Sequence, residues 1–383
     1  MVLFSTDVSL ICSACGVRQI EKQQIVLCPR CSGPMELSLP EQSDSIANVV
    51  RQGRGVWRYL DAMPIANERH IVSLGEGSTP IVQLPRWGAA IGVPRAMAKL
   101  EYFAPTGSFK DRGMTLVVSR AIALGATALI EDSSGNAGAS TGAYAARAGL
   151  QATVYVPAAA PPAKIRQIAA TGATVIPVRG RREQVTEAAI AACAGNSAYY
   201  VGHNLNPFFS WGMTTFAFEL IEDLGGVLPD HIIMPSGGGS LYVGNWRGLR
   251  LWLGADARLP RLHLVQPDAC CPIVAAQAVG ASRAVAIQRG STIAGGAEIE
   301  HPARDGSMLL ALNDTNGVAV SVGDDAIRRE RERLAILEGI DLEPTSALAL
   351  AGLAKLVKLG VIGTGESVLI AMTGTGLKVP SDS

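Results

Sequence analysis

One lysine stands in a setting that suits covalent chemistry. Lys110 lies in the segment 105–113, PTGSFKDRG, which follows a predicted strand and opens a predicted helix. An ammonium in the first turn of a helix faces the positive end of the helix dipole, which disfavours the charged form. Schiff-base formation requires the neutral amine. Lys110 is therefore a candidate nucleophile, although a lone lysine beside Asp111 and Arg112 is more often a surface residue.

Two glycine-rich loops accompany this lysine. The first, 133–140 with the sequence SSGNAGAS, follows a predicted strand and enters a helix. Its hydroxyls, amide and backbone N–H groups suit a carboxylate or a phosphate at a helix N-terminus. The second, 236–240 with the sequence SGGGS, repeats this arrangement after another strand. Either loop alone is a weak signal in a chain with 42 glycines, but their occurrence together with the lysine segment indicates a ligand site.

Four cysteines near the N-terminus are spaced as metal ligands. They form two Cys-x2-Cys pairs separated by twelve residues, namely Cys12, Cys15, Cys28 and Cys31. Two such pairs supply four thiolates to a tetrahedral structural site, which favours zinc and also suits iron. A ribbon that lacks the metal and chance disulfides are the alternatives. Residues 1–40 are therefore predicted to form a separate zinc-ribbon-like module.

The rest of the chain alternates between short apolar runs and alanine-rich helical stretches. The predicted strands are Ala96–Leu100, Ala128–Glu131, Ala152–Val156, Thr174–Pro177, Tyr199–Val201, Ile232–Met234, Leu262–Val265 and Val368–Ala371. The predicted helices cover residues 110–124, 136–148, 162–171, 182–194, 212–223, 240–252 and 345–358. Continuous apolar strands between helices indicate an α/β fold with parallel sheets covered on both faces. The order of the strands cannot be read from the sequence.

Composition limits the classes of partner. Lysine plus arginine equals aspartate plus glutamate at 33 each, so no global field favours nucleic acid or an anionic membrane. Hydrophobic residues make up 48% and charged residues 17%, which predicts a large buried core. We find no apolar run long enough to span a membrane and no signal-peptide pattern at residues 1–7. A cytoplasmic protein is predicted.

These segments together resemble the fold-type II pyridoxal-phosphate-dependent family, and within it the threonine synthases. The resemblance runs from about Leu74 to Lys378. Its motifs are GSTP (77–80), TGSFKDRG (106–113), SSGN (133–136), KIRQI (164–168), EPTSA (343–347) and TGTGLK (373–378). A zinc-ribbon-like module also occurs in part of that family. The resemblance implies two α/β domains of the tryptophan synthase β type, a large cofactor-binding one (41–100 with 206–383) and a small one (101–205).

The resemblance also implies roles in binding pyridoxal 5'-phosphate. Lys110 is expected to hold the cofactor as a Schiff base and to move protons between substrate carbons. Asn136 is expected to hydrogen-bond the ring oxygen, and Thr373 to meet the pyridine nitrogen with a neutral hydroxyl. The cofactor phosphate is expected on the backbone N–H groups of the second glycine-rich loop and the helix that follows. This group consists of Gly237, Gly238, Gly239 and Ser240.

The residues expected to meet the substrate fit the family less completely. In the family reaction, O-phosphohomoserine loses its γ-phosphate and water adds at Cβ to give threonine. Relatives carry an arginine, a lysine and a threonine where this chain has Phe209, Thr214 and Ala137. A dianion without a cation nearby is costly in a closed site, so these changes leave the substrate open. The predicted substrate-binding residues are Ser133, Ser134, Ala137 and Asn204.

Three functions remain open at this point. The first is a pyridoxal-phosphate lyase of the threonine-synthase type, acting by elimination on an amino acid such as O-phosphohomoserine. The second is a threonine or serine dehydratase-type ammonia-lyase, or a β-replacement synthase, with another leaving group. The third is an inactive paralogue with a binding role. His203 is either a substrate contact or a structural histidine. Relatives are commonly dimers, and the resemblance therefore predicts a homodimer that takes a small amino-acid substrate.

Overall fold

The structure, a computed structural model, describes residues 8–38, 50–160, 162–194 and 198–378. The chain divides into two compact units. The first contains Met1–Ser78 and Lys110–Thr215, and the second contains Thr79–Phe109 and Phe216–Ser383. Within the described ranges, no helix has the length and apolar character needed to cross a membrane.

The described residues form both strands and helices in alternation. The strands are β1 (Ser9–Cys12), β2 (Arg18–Ile20), β3 (Met35–Leu37), β4 (Ile81–Gln83), β5 (Ala96–Leu100), β6 (Ala128–Glu131), β7 (Gln151–Pro157), β8 (Thr174–Val178), β9 (Ala198–Tyr200), β10 (His231–Pro235), β11 (Arg261–Pro267), β12 (Ala319–Val322) and β13 (Val368–Met372). The α-helices are α1 (Pro85–Ala90), α2 (Lys110–Ala123), α3 (Asn136–Ala148), α4 (Pro162–Ala169), α5 (Arg182–Cys193), α6 (Pro207–Gly212), α7 (Thr214–Asp223), α8 (Ser240–Leu253), α9 (Pro272–Ala278), α10 (Asp305–Asp314), α11 (Asp324–Glu338) and α12 (Pro344–Lys358). Short 3-10 helices cover Val56–Ala62, Glu68–His70, Glu101–Phe103, Gly295–Ala297 and Gly376–Lys378.

The second unit is built on a six-stranded sheet in the order β12-β11-β10-β13-β5-β4. All neighbouring pairs are parallel except β4 with β5. Its central strands β10 and β13 are buried along almost their whole length, as expected for a parallel sheet that helices cover on both faces. The largest core cluster lies here, where α12 buries a run of leucines and alanines against the sheet. The carboxyl ends of β10 and β13 are neighbours at one edge of this sheet.

The first unit contains a parallel four-stranded sheet in the order β8-β7-β6-β9. The N-terminal segment adds a small antiparallel sheet in the order β2-β1-β3. Gln24 joins this segment to β9, because its amide donates to the carbonyl of Tyr200 (2.6 Å) and accepts from its N–H (2.8 Å). A buried ion pair between Glu21 and Arg120 (2.9 Å) adds a second attachment. The cysteine-bearing segment is therefore packed against the rest of this unit.

The prediction of an α/β fold with mostly parallel sheets and an N-terminal cysteine ribbon is confirmed. The helix expected over 212–223 is observed as α7, which begins at Thr214, and the short helix α6 precedes it across Met213. The domain bounds given by the resemblance stay predictions. Residues 1–7, which carry the signal-peptide expectation, and residues 39–49, where the predicted large domain begins, lie outside the described residues.

Candidate active site

Lys110 is the first residue of α2, and close packing of α2 against α6 determines its surroundings. A Cβ atom on Gly113 would lie 2.7 Å from a ring carbon of Phe209. A Cβ atom on Gly212 would lie 2.3 Å from the carbonyl oxygen of Arg112. Because both positions lack a side chain, the helices approach closely and the Phe209 ring centre lies 5.5 Å from the Lys110 Nζ. An aromatic ring therefore faces the lysine.

The loop that follows β6 brings three predicted site residues together. Asn136 is the first residue of α3, and Ser133 and Ser134 precede it. The hydroxyl of Ser133 accepts a hydrogen bond from the N–H of Gly135 at 3.3 Å. A Cβ atom on Gly138 would lie 2.0 Å from the carbonyl oxygen of Ser133, so the loop folds over the helix only because this residue is glycine. The predicted ring-binding amide and carboxylate-binding hydroxyls thus share one helix N-terminus.

The remaining predicted substrate residues also belong to the first unit. Ala137 is buried in the first turn of α3, and Asn204 lies in the turn between β9 and α6. Because β6 and β9 are parallel neighbours, the loops after them lie at the same sheet edge. Phe209 and Thr214 are fully buried, and the Thr214 hydroxyl donates to the carbonyl of Trp211 at 2.8 Å. Neither side chain offers a positive charge to a phosphate.

A carboxyl–imidazole pair that sequence reasoning missed lies at this same edge. Glu131 ends β6, and one of its oxygens is 3.1 Å from Nδ1 of His203. Its other oxygen is 3.4 Å from the hydroxyl of Thr141. Burial raises the pKa of Glu131 well above its ordinary value, Asp132 raises it further, and the positive charge of Lys110 opposes the rise. The sequence did contain a signal for this pair. A predicted apolar strand ends in two consecutive carboxylates, Glu131 and Asp132, directly before the loop that begins at Ser133.

In the second unit, the predicted phosphate-binding loop runs from β10 to α8. Gly239 has a φ of 82°, and a Cβ atom there would lie 2.3 Å from the sulfur of Met308. A Cβ atom on Gly237 would lie 2.9 Å from Cα of Ala297. The backbone N–H groups of Gly237 and Gly238 donate to no acceptor within the described part of the chain. The loop therefore presents free donors directly before a helix N-terminus, which is an anion-binding arrangement.

Thr373 directly follows β13, the strand next to β10. Its N–H donates to the hydroxyl of Ser346 (2.9 Å), and its carbonyl accepts from the N–H of Phe109 (3.1 Å). Its own hydroxyl is buried and has no hydrogen-bond partner among the described residues. The hydroxyl of Ser236, at the start of the glycine-rich loop, is likewise buried without a partner among the described residues. Ser240, at the end of this loop, is the first residue of α8. One unsatisfied hydroxyl thus lies at the start of the glycine-rich loop, and the other lies at the end of β13.

The four N-terminal cysteines form a compact sulfur cluster. Their Sγ atoms all lie within 4.8 Å of one another, with Cys12 and Cys31 at 3.5 Å and Cys15 and Cys28 at 3.6 Å. A tetrahedral zinc with Zn–S bonds of about 2.3 Å separates its sulfurs by about 3.8 Å. A Cβ atom on Gly33 would lie 3.1 Å from the sulfur of Cys12, so a glycine is needed there. The cluster has the dimensions of a four-thiolate metal site.

Comparison with known proteins identifies similar sequences along almost the whole chain. The family model described as "Pyridoxal-phosphate dependent enzyme" matches residues 72–374. A threonine synthase of Methanosarcina acetivorans is 34% identical over 376 residues, covering 97% of this chain and 92% of the relative. A threonine synthase of Methanocaldococcus jannaschii is also 34% identical, covering 96% and 92%.

Solved structures share the same architecture at lower identity. A fungal L-serine ammonia-lyase from Rhizomucor miehei superposes with a TM-score of 0.68 at 21% identity, covering 78% of this chain and 94% of that one. Threonine deaminase isoform 2 from Solanum lycopersicum gives a TM-score of 0.68 at 19% identity, covering 88% and 96%. At such identities the likeness establishes the fold.

Proposed function

This chain belongs to the family of pyridoxal-phosphate-dependent enzymes, and we propose that within it the chain is a lyase that eliminates a substituent from Cβ or Cγ of a small amino acid. Two threonine synthases are each 34% identical to it over nearly the whole chain. The observation that carries the proposal is the buried, unsatisfied hydroxyl of Thr373 on the strand next to the glycine-rich loop.

The second unit supplies groups that match two parts of the cofactor. The Thr373 hydroxyl suits a neutral pyridine nitrogen, because a hydroxyl donates a hydrogen bond without transferring a charge. The free N–H groups of Gly237 and Gly238 and the N-terminus of α8 suit a phosphate. Gly239 keeps this loop close to α10, because a Cβ atom there would lie 2.3 Å from the sulfur of Met308. We propose that these residues hold the ring nitrogen and the phosphate.

The first unit supplies the groups that handle the amino acid. When bound, pyridoxal phosphate supplies an electron-withdrawing ring that makes the Cα proton acidic. Lys110 is proposed to attach the cofactor and then, as a free amine, to take the Cα proton and return protons to substrate carbons. Asn136 holds the ring oxygen, and Ser133 and Ser134 with their adjoining N–H groups bind the α-carboxylate. Placement of these three on one loop supports the shared role.

The leaving group separates two candidate reactions. Threonine formation from O-phosphohomoserine requires a grip on a second phosphate. Phe209 and Thr214 stand where relatives carry cations, and both are buried and neutral. The threonine-synthase type of lyase remains the first candidate, because the curated relatives are threonine synthases that match nearly the whole chain. The neutral side chains at positions 209 and 214 are the one observation that supports the second candidate, an ammonia-lyase or β-replacement enzyme with an uncharged leaving group. Asn204 and Ala137 are proposed to contact the substrate side chain.

A spectrum and a substrate panel test the proposed function. We expect purified protein with added cofactor to show the visible absorption of a Schiff base, which the Lys110→Ala variant loses. The protein is then offered O-phosphohomoserine and a series of β-substituted amino acids while phosphate, ammonia and α-keto acid are measured. Release of any of these products supports a lyase. A protein that gains no absorption band and releases none of them would overturn the proposal.

Three further proposals concern the whole chain. The sulfur distances support a structural zinc held by the four N-terminal cysteines, with iron as the alternative metal. A homodimer follows from the resemblance alone and is testable by sedimentation. A cytoplasmic location is proposed from the paired-thiol composition of the sequence.

A further inference from the structure

We propose that Glu131, held by His203, donates a proton to the oxygen that leaves the substrate, so that the group eliminated is a hydroxyl that departs as water. This inference rests on the proposed lyase function and names its substrate class, a β- or γ-hydroxy amino acid. Nothing in the resemblance assigns a role to Glu131.

The position of the carboxyl group is fixed by three elements of one unit. Glu131 ends β6, two residues before the loop that begins at Ser133. His203 follows β9, the parallel neighbour of β6, and its Nδ1 lies 3.1 Å from one carboxyl oxygen. The Thr141 hydroxyl, on α3, lies 3.4 Å from the other. The carboxyl is fully buried, so its orientation is set by these contacts and not by water.

The pair lies in the surroundings of the lysine. Lys110 is one of the charges that act on the carboxyl group of Glu131, where it opposes the rise of the pKa. The ring of Phe209 lies 5.5 Å from the Lys110 Nζ and packs edge-on against the ring of His203 at 5.6 Å. The amine, the aromatic ring and the carboxyl–imidazole pair therefore form one continuous group of contacts.

Glu131 is built to keep its proton. Burial raises the pKa of its carboxyl well above the ordinary value, Asp132 raises it further, and Arg182 and Lys110 oppose the rise. The carboxyl group of Asp132 is 3.0 Å from Arg182 and also accepts from Thr186, so the two neighbouring carboxyl groups have different partners. Two neighbouring carboxyls with different partners are a common way to obtain one base and one acid.

A hydroxyl is the leaving group that needs such an acid. Phosphate departs as a stable anion and needs cations, whereas hydroxide is a strong base and departs readily only as water. In the proposed step the C–O bond breaks and its electron pair stays on oxygen. That oxygen forms an O–H bond with the proton of Glu131 and leaves as water. For a β-hydroxy substrate, Lys110 has taken the Cα proton, and the electron pair of that C–H bond forms the Cα=Cβ double bond. For a γ-hydroxy substrate, Lys110 also takes a proton from Cβ, and that electron pair forms the Cβ=Cγ double bond. The Glu131 carboxylate beside His203 regains a proton from solvent.

A leaving-group comparison tests this role. Glu131→Gln keeps the size of the side chain but removes the acidic proton. We expect it to lower kcat/KM for L-serine, L-threonine or L-homoserine by about 100-fold or more. For β-chloro-L-alanine, whose chloride leaves without a proton, we expect a change within about threefold. Equal losses on both substrate types would mean that Glu131 is only structural and would overturn the inference.

The matched control is Glu21→Gln, which removes another buried carboxyl, one that pairs with Arg120 outside the site. We expect it to leave the ratio of the two rates unchanged. A second readout does not depend on turnover. The infrared band of a protonated buried carboxylic acid, recorded on resting protein at neutral pH, should lose intensity in Glu131→Gln. An unchanged band would show that Glu131 is ionised and would contradict the proposal.

Two other outcomes are distinguishable. If the wild-type protein forms no cofactor complex and eliminates neither substrate type, the proposed function fails. If it eliminates chloride but no hydroxyl, only the present inference fails.

Ligand atoms of Glu131, Asp132 and His203 lie within 4.8 Å of one another and would also suit a cation. Loss of one bound metal per chain in Glu131→Gln would assign them to a metal site and overturn the role as an acid.

Discussion

Two hydroxyls in the second unit show how single residues can reveal a ligand. Those of Thr373 and Ser236 are buried without a hydrogen-bond partner among the described residues. An unsatisfied buried polar group costs about 1–3 kcal/mol. A bound ligand or an ordered water satisfies such groups. The two lie at the ends of β13 and β10, neighbouring strands of one sheet, which is why we attribute them to a shared cofactor site.

Replacement of Thr373 by valine should have opposite effects on the empty and the loaded protein. Without cofactor, Thr373→Val removes an unsatisfied hydroxyl, so the free energy of unfolding should stay equal or rise by up to about 1 kcal/mol. Affinity for pyridoxal phosphate should fall about tenfold, equivalent to about 1.4 kcal/mol. Thermal unfolding and cofactor titration measure the two effects.

The matched control is Thr315→Val, because the Thr315 hydroxyl donates to the carbonyl of Ala311 at 2.7 Å. That variant should lose about 1 kcal/mol of stability and keep its cofactor affinity. If both variants lose stability equally and neither changes cofactor affinity, Thr373 has no part in binding the ring.

At the level of elements, the N-terminal ribbon is too small to fold on packing alone. Its three strands contain three or four residues each. Structural zinc contributes about 10–16 kcal/mol in small metal-bound modules. The attachments through Gln24 and Glu21 fix where the ribbon packs, whereas the proposed metal would join the two cysteine pairs to each other. The ribbon should therefore depend on its metal.

Metal analysis should find about one zinc or iron atom per chain, and chelation should unfold the ribbon. Limited proteolysis is the measurement, and cleavage within residues 8–38 should appear after chelation or in Cys28→Ser. Cys193→Ser, which removes a thiol outside the cluster, should leave the fragment pattern unchanged. A metal-free protein as resistant as the untreated one would contradict this prediction.

A histidine pair links β10 and β11 in the second unit. Nδ1 of His263 accepts the N–H of Val318 (3.2 Å), so its Nε2 carries the proton and donates to Nδ1 of His231 (2.9 Å). That leaves Nε2 of His231 as a donor, 3.3 Å from a carboxyl oxygen of Glu366. Burial, together with the positive charges of His231 and Arg261, lowers the pKa of His263 to about 3. His263 is neutral in the folded protein.

The pH dependence of this pair follows from linkage. An unfolded chain protonates His263 near its ordinary pKa of about 6.5, whereas the folded chain does so only near 3. The stabilisation is therefore complete above the ordinary pKa and is lost as pH falls from about 6.5 towards 3. Imidazole resonances assigned with His263→Gln should stay unshifted from neutral pH down to about pH 4. A shift in this interval would contradict the hydrogen-bond chain.

Much of this arrangement could be predicted from the sequence because it is local. Apolar runs between helices located β5, β6 and the other central strands to within one or two residues. No helix or strand was predicted in the region from α10 to α11, because packing against the rest of the fold, more than the local sequence pattern, determines these elements. Glu131 was missed because its partner His203 is 72 residues away, and only the pairing of β6 with β9 joins them.

Across the whole chain, the same rule places the site residues of each unit. In an open parallel sheet, ligand loops gather at the carboxyl ends of the strands. The first unit places its serine, asparagine and histidine loops after β6 and β9, and the second places its glycine-rich loop and Thr373 after β10 and β13. The chain passes from the second unit to the first at Lys110. The first unit consists of two chain segments, and Lys110, which should hold the cofactor, is the first residue of the second segment.

Borohydride reduction of the protein with bound pyridoxal phosphate tests the central claim most directly. Reduction fixes the cofactor to the lysine that carries it, and mass spectrometry of the digested protein then identifies the modified peptide. We predict a single pyridoxyl group on Lys110 and none in the Lys110→Ala variant. A label on another lysine, such as Lys99 or Lys378, or equal labelling of the variant, would contradict the site described for this enzyme.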